Sequence, residues 1–210
     1  AKSFLNLIKK MNKNVYFLSN NSSLTFENFR KMFKKVKFKI KRKNVILSSD
    51  LLIRYLKKNN IRSIYTSGNH GFIKLLKKNK IKIDEINPQK IVISYDNQIT
   101  YKKLKKLCEL INKGIDFIAT HDDQFYPSKN GPIPDAGSII KLIEHTTGVR
   151  PKKIFGKPNI DLSYIIKDRK KTIVIGDRIS KDIQFANNSN YDSALVLSGA
   201  EKDIRVKDKR

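Results

Sequence analysis

The chain has 210 residues, enough to bury roughly 70% of the surface its unfolded form exposes, so one large domain or two small ones fit and disorder as a whole is excluded. It carries 45 Lys and Arg against 19 Asp and Glu, a formal net charge of +26, but 36 of the basic residues are lysines scattered over almost every segment. Joint enrichment in Lys, Asn and Ile is what an AT-rich coding bias produces, so nucleic-acid binding is set aside as the evolved function, while the positive field still favours small anionic substrates.

Apolar runs alternate with helical periodicity, which predicts an α/β architecture. A helix over Ser3–Met11 leads into a strand at Val15–Leu18, and a second helix starts near Thr25 with Glu27 and Asn28 in its first turn. Val36–Lys43 alternates apolar residues with Lys at period two, which predicts a half-buried edge strand. Helices are then expected over 50–58, 71–79, 101–112, 137–147 and 181–188, with strands at 61–66, 90–94, 116–120, 172–175 and 194–197. Cys108 falls in the 101–112 helix beside Leu104, Leu107 and Ile111, as a small core residue in a reducing compartment. No apolar run approaches 18 residues, so the expectation is a soluble, cytoplasmic protein with no membrane partner. Ala119–Ser138 reads as a long polar loop stiffened by Pro127, Gly131, Pro132 and Pro134, and connections of that length are usually functional.

Four polar clusters lie at strand ends or in loops. In KTIVIGDRISKDI an apolar run ends in Gly176-Asp177, with Asp182 five residues on. At the carboxyl end of a parallel strand these two carboxylates suit a metal; the alternative is that Asp177 caps a helix. FLSNNSS places Ser19, Asn20 and Asn21 ahead of a helix, a loop able to cradle phosphate, while Ser22, Ser23 and Thr25 fit an ordinary turn and cap. In FGKPN, Lys157 lies between Gly156 and Pro158, which predicts a lysine held at a rigid helix entrance. His121, Asp122 and Asp123 have the residue types of a metal site, but His70 and His145 have no comparable partners, and a metal centre there is not expected.

These blocks resemble the haloacid dehalogenase superfamily, in particular its subclass IIA phosphatases, the branch of the p-nitrophenyl phosphatase-like and nucleotide phosphatase-like enzymes. FLSNNSS is similar to the second motif of that family, GKPN to the third and GDRISKDI to the fourth, in the right order, and the 119–139 segment and SALVLSGA match two further blocks. The resemblance implies a Rossmann-like core over residues 1–59 and 153–210 with a large α/β cap inserted at 60–152. It implies Mg²⁺-dependent hydrolysis of a small phosphorylated metabolite through an aspartyl-phosphate. Ser19, with Asn20 and Asn21, would bind the phosphoryl group, Lys157 would neutralise its charge, Asp177 would ligate Mg²⁺, and Asp182 would ligate through water or anchor the site. His121, Asp122 and Asp123 would select the substrate from the cap.

The family's first motif, Asp-x-Asp-Gly-Thr, carries the nucleophile, and no Asp-x-Asp occurs in the 210 residues. The expectation is a fragment, cut at both ends, with the polar tail EKDIRVKDKR last and sheet edges open to self-association. Ala186 and Asn190 stand where the family usually has Gly, and Asn190 is expected to take the left-handed conformation that Gly supplies. A catalytically inactive binding protein of the same fold is the principal alternative; a basic nucleic-acid-binding protein ranks below it.

Overall fold

The computed structural model describes residues 2–163, 165–166 and 168–201, so most of the polar tail lies outside the described residues. The chain forms two compact units, Ala1–Phe155 and Gly156–Arg210.

The first unit opens with α1 (Lys2–Lys10), β1 (Phe17–Ser19), α2 (Phe26–Lys35), β2 (Val45–Leu47) and α3 (Ser48–Lys58). β1 and β2 pair in parallel, Phe17 opposite Val45 and Ser19 opposite Leu47. The edge strand expected over 36–43 does not form. Lys37 turns left-handed (φ 59°), its N–H bonds the carbonyl of Lys34, and Phe38 N–H bonds that of Phe33, the Schellman closure of a helix. The Phe38 ring then packs on Phe17 and Phe33, so part of the alternating pattern served a helix stop and its hydrophobic contact instead of a pleat. Asn12, Asn60, Lys80 and Asn190 are also left-handed and follow α1, α3 and two later helices. Asn190 behaves as expected from the sequence.

There follow β3 (Ser63–Ser67), α4 (His70–Lys78), β4 (Lys82–Ile83), β5 (Lys90–Ile93), α5 (Tyr101–Asn112), β6 (Phe117–Ala119), β7 (Phe125–Ser128), β8 (Gly131–Pro134), α6 (Ala136–Thr147) and β9 (Lys153–Ile154). Strands β4-β3-β5-β6-β9 form one parallel sheet in that order. Its central strands read as unbroken apolar runs because both faces are covered, and Ile91, Val92 and Ile93 are all fully buried. On one face Ile91, Ile93 and Phe117 meet Leu107, Leu110 and Ile111 of α5 and Ile139, Ile140 and Ile143 of α6. On the other, Ile64, Val92 and Ile118 meet Leu52 and Leu56 of α3 and Phe72 and Leu76 of α4. Cys108 packs against the first face, half-buried, and burial pushes its thiol pKa up. The 119–138 segment is not structureless: β7 and β8 form an antiparallel hairpin, Phe125 opposite Pro134 and Ser128 opposite Gly131.

The second unit contains β10 (Ile173–Gly176), a wide π-type turn at Ile179–Ile183, α7 (Gln184–Ser189) and β11 (Asp192–Leu195). β10 and β11 run parallel, Ile173 opposite Asp192 and Gly176 opposite Leu195, so the last strand lies two residues earlier than the ALVL run suggested. Phe185 and Tyr191 are buried and meet as tilted rings with centroids 5.9 Å apart, packing α7 against the residue that leads into β11. Among the described residues no helix is long and apolar enough to cross a membrane.

Because Phe117 is fully buried on β6, an interior strand of the five-stranded sheet, Phe117→Ala should cost about 3–5 kcal/mol of unfolding free energy in a urea titration. A loss below about 1 kcal/mol would mean that this sheet is not the core.

Candidate active site

The second unit gathers Lys157, Asp177 and Asp182. β10 ends at Gly176, Asp177 follows, and the π-type turn swings Asp182 back beneath the strand end. Gly176 is required by close approach: a Cβ there would overlap the Asp182 side chain. Asp182 is 5% exposed and its carboxylate is taken up on both oxygens. Oδ2 accepts the backbone N–H of Asp177 and of Arg178, each at 3.1 Å, and Oδ1 accepts Lys157 Nζ at 2.5 Å. Lys157 itself lies in a turn closed by Asn159 N–H to the Gly156 carbonyl, so the helix entrance read from Gly-Lys-Pro is a turn instead.

Asp177 is held from the other side by the segment after β11. Its Oδ2 accepts the Ala200 N–H at 2.8 Å, its carbonyl accepts the Glu201 N–H at 3.1 Å, and Gly199 passes so near that a Cβ would overlap the carboxylate. With Oδ2 engaged, Oδ1 is the oxygen suited to a hard cation such as Mg²⁺, which takes carboxylate oxygens one or two at a time. Asp177 thus has one carboxylate oxygen chemically suited to a divalent cation, while Asp182 is bound as an anchor.

In the first unit, Ser19 ends β1 and its Oγ accepts the Asn21 N–H at 3.1 Å. Asn21 Oδ1 accepts both Ser23 N–H and Ser23 Oγ–H, a side-chain-closed turn. Asn20 is buried; its carbonyl accepts Ser48 Oγ–H at 2.9 Å and its Nδ2 donates to Asp123 Oδ1 at 3.3 Å. Ser22 does not cap the helix as expected. It is buried, and its Oγ accepts Ser94 Oγ–H at 2.8 Å and Tyr95 N–H at 3.3 Å. At the start of α2, Asn28 Oδ1 accepts the Thr25 N–H and hydroxyl.

His121, Asp123 and Asp135 are all buried, with ligand atoms within 4.8 Å of one another. Asp135 escaped the sequence reading; its signal was Pro-Asp directly before an apolar helical run, the pattern of an N-cap. Its Oδ1 accepts Ala136 N–H at 2.6 Å and meets His121 Nε2 at 3.0 Å, while His121 Nδ1 meets Thr120 Oγ1 at 2.8 Å. These hydrogen bonds join the cluster in a polar network that closes α6 onto the 120–123 segment. Asp122, half-buried, adjoins it.

Parallel sheets whose strand ends deliver a lysine-paired carboxylate cluster and a Ser-Asn loop define the class of α/β proteins with polar sites at the carboxyl edge. A haloacid dehalogenase-like hydrolase profile matches residues 1–82, and a second, HAD-hydrolase-like profile matches 154–210. The 4-nitrophenylphosphatase of Thermotoga maritima is 35% identical with a TM-score of 0.87, over 94% of this chain and 78% of that one. The chain belongs to the haloacid dehalogenase-like hydrolases, in the p-nitrophenyl phosphatase-like branch. The 5'-nucleotidase YutF of Bacillus subtilis is 30% identical over 70% of this chain and 59% of its own length, so the match spans about three-fifths of that relative. The sugar-phosphatase AraL of the same organism is 25% identical over 96% of this chain and 77% of its own length.

Since Gly199 leaves no room for a Cβ beside Asp177, Gly199→Ala should lower the stability of the second unit by roughly 1–3 kcal/mol. It should also speed hydrogen exchange at the Ala200 amide. An unchanged Ala200 exchange rate would show that this backbone segment does not hold Asp177.

Proposed function

We propose that this chain supplies the phosphate- and metal-binding parts of a Mg²⁺-dependent phosphomonoester hydrolase acting on a small phosphorylated metabolite. The observation that carries this reading is the joining of Lys157, Asp177 and Asp182 in one hydrogen-bonded cluster at the end of β10. The relatives support the substrate class, since they include a nucleotidase, a sugar phosphatase and a nitrophenylphosphatase. In this reading residues 1–59 and 153–210 make the catalytic part and 60–152 the cap.

Ser19, Asn20 and Asn21 bind the phosphoryl oxygens through hydroxyl, amide and backbone donors. Lys157, fixed by Asp182, offers a positive charge to phosphate oxygens, and Asp177 offers Oδ1 to Mg²⁺. Bound there, Mg²⁺ contributes charge neutralisation at the transferring group. Electrostatic positioning of this kind is the main demand of phosphoryl transfer. The cap segment His121–Asp123 contributes substrate selection. The attacking carboxylate, which forms the aspartyl-phosphate, is not among the groups assigned here, because no Asp-x-Asp occurs in the 210 residues.

Two measurements test this reading. The 210-residue chain with p-nitrophenyl phosphate and Mg²⁺ should show no turnover, because acceleration of phosphate-monoester hydrolysis approaching ~10²¹ cannot come from positioning without a nucleophile. Turnover that tracks the protein and vanishes in Asp177→Ala would place the nucleophile inside the chain. In the full product of the gene, assayed over a panel of phosphomonoesters, Asp177→Asn should lower kcat by roughly two orders of magnitude or more and weaken Mg²⁺ dependence. Mg²⁺ dependence left intact would show that the ligand lies elsewhere.

A further inference from the structure

The loop that follows β1 is not an independent feature of the strand end; buried side chains from distant parts of the first unit fasten it at successive residues. Asn20 is tied through its carbonyl to Ser48 and through its amide to Asp123, 103 positions away. Ser22 is tied to Ser94 and to the Tyr95 N–H. The carbonyl of Ser23 lies 2.9 Å from where a Cβ on Gly71 would stand, so α4 also abuts the loop.

Asp123 is itself over-determined. Its carbonyl accepts Gly137 N–H at 2.8 Å, and Gly137 lies so close to the carbonyls of Asp122 and Asp123 that a side chain there would overlap both. The Gln124 carbonyl accepts the Asp135 N–H and the Ser138 hydroxyl. His121 and Asp135 join through Nε2 and Oδ1, and both are buried. A residue 8% exposed, its carbonyl bonded by the N-terminus of α6 and its carboxylate by Asn20, is poorly placed to inspect a diffusing substrate, and well placed to fix a neighbour.

We infer that Asp123 is a positioning residue. It sets the orientation of the Asn20 carboxamide, and the His121–Asp135 pair holds the 121–124 segment in register for that contact. An Asn side chain can present either its oxygen or its NH₂ in a given direction, and a carboxylate acceptor on one side decides which. This inference rests on the phosphatase reading for its consequence: Asn20 presented in one orientation to the phosphoryl group. It follows that the state of the cap segment is transmitted to phosphate binding through the buried Asn20–Asp123 hydrogen bond, and that within His121–Asp123 the direct reading of substrate falls to Asp122, the member of the three that is half-exposed.

The test uses the 210-residue chain with Asp123→Ala and Asp123→Asn, followed by NMR of the Asn20 side-chain NH₂ and by titration with inorganic phosphate. Asp123→Ala should speed exchange of the Asn20 NH₂ protons at least tenfold and weaken phosphate binding by about tenfold, the scale of one hydrogen bond to a charged group. Asp123→Asn keeps an acceptor oxygen and should retain both within about threefold. Unchanged Asn20 exchange in Asp123→Ala overturns the inference, and so does an Asp123→Asn protein that loses as much as the alanine variant. If the wild type takes up no phosphate while Asn20 exchange still depends on Asp123, the positioning contact stands and the phosphatase reading falls. Should Asp123→Ala fail to fold, the exchanged pair Asn20→Asp with Asp123→Asn decides the matter: protection of the loop amides must be lost in Asn20→Asp alone and return in the pair, and its failure to return overturns the inference.

Discussion

One buried carboxylate organises the second unit. Asp182 accepts two backbone N–H groups from the turn that follows β10 and the ammonium of Lys157 from a separate turn, so three charge-assisted bonds converge on a side chain almost closed to water. Such bonds are worth more than neutral ones, and a charge left buried without them is costly, which makes the arrangement close to all-or-none. Around it the local sequence has little freedom: Gly176 must lack a side chain, and the helix must begin with a wide π-type turn to bring Asp182 back to the strand end. The consequence is that Asp177 and Lys157 are placed by the same anchor, so a carboxylate and an ammonium keep a fixed relation.

The first unit repeats the principle with hydroxyls, an amide and one carboxylate. Its polar loop is too buried to be satisfied by water, and Ser48, Ser94 and Asp123 supply the donors and acceptors that solvent would otherwise provide. Beneath it the five-stranded parallel sheet, covered on both faces, provides the rigid support on which such contacts can be held to within a fraction of an ångström. The large positive charge of the chain contributes little to these contacts directly. The ion pairs of Lys157 with Asp182 and Lys103 with Asp96 are the more buried ones, whereas pairs such as Arg30 with Glu27 lie at the surface, where screening leaves them small effects.

Much of this was legible in the sequence where residue type and period agree. The apolar runs at 61–66, 90–94 and 116–120 are the sheet strands, because a strand buried on both faces needs no alternation. Gly-Asp followed five residues later by Asp marked the cluster, since only that order lets a turn fold a second carboxylate under the first. The failures have physical causes. Val36–Lys43 has strand periodicity, but a left-handed Lys37 and the packing of Phe38 on Phe17 and Phe33 outweighed it. The 119–138 segment looked structureless because its proline-rich strands bury little, and β7 and β8 face solvent. Val45–Leu47, Lys82–Ile83 and Lys153–Ile154 are too short to show a period, and their strand character comes from a neighbouring strand in the sheet. Asp135 and Ala200 act through partners far away in the chain, and no local pattern announces that.

The central claim of the proposed function is that Lys157 and Asp177, held together by Asp182, bind a phosphoryl oxygen and a cation. A crystal structure of the chain with Mg²⁺ and tungstate, an oxyanion that mimics phosphate and is located by its anomalous scattering, tests it most directly. The account predicts tungstate hydrogen-bonded to Lys157 Nζ, with Mg²⁺ on Asp177 Oδ1. Tungstate bound away from Lys157, or the cation seated among His121, Asp123 and Asp135 with none at Asp177, would contradict it.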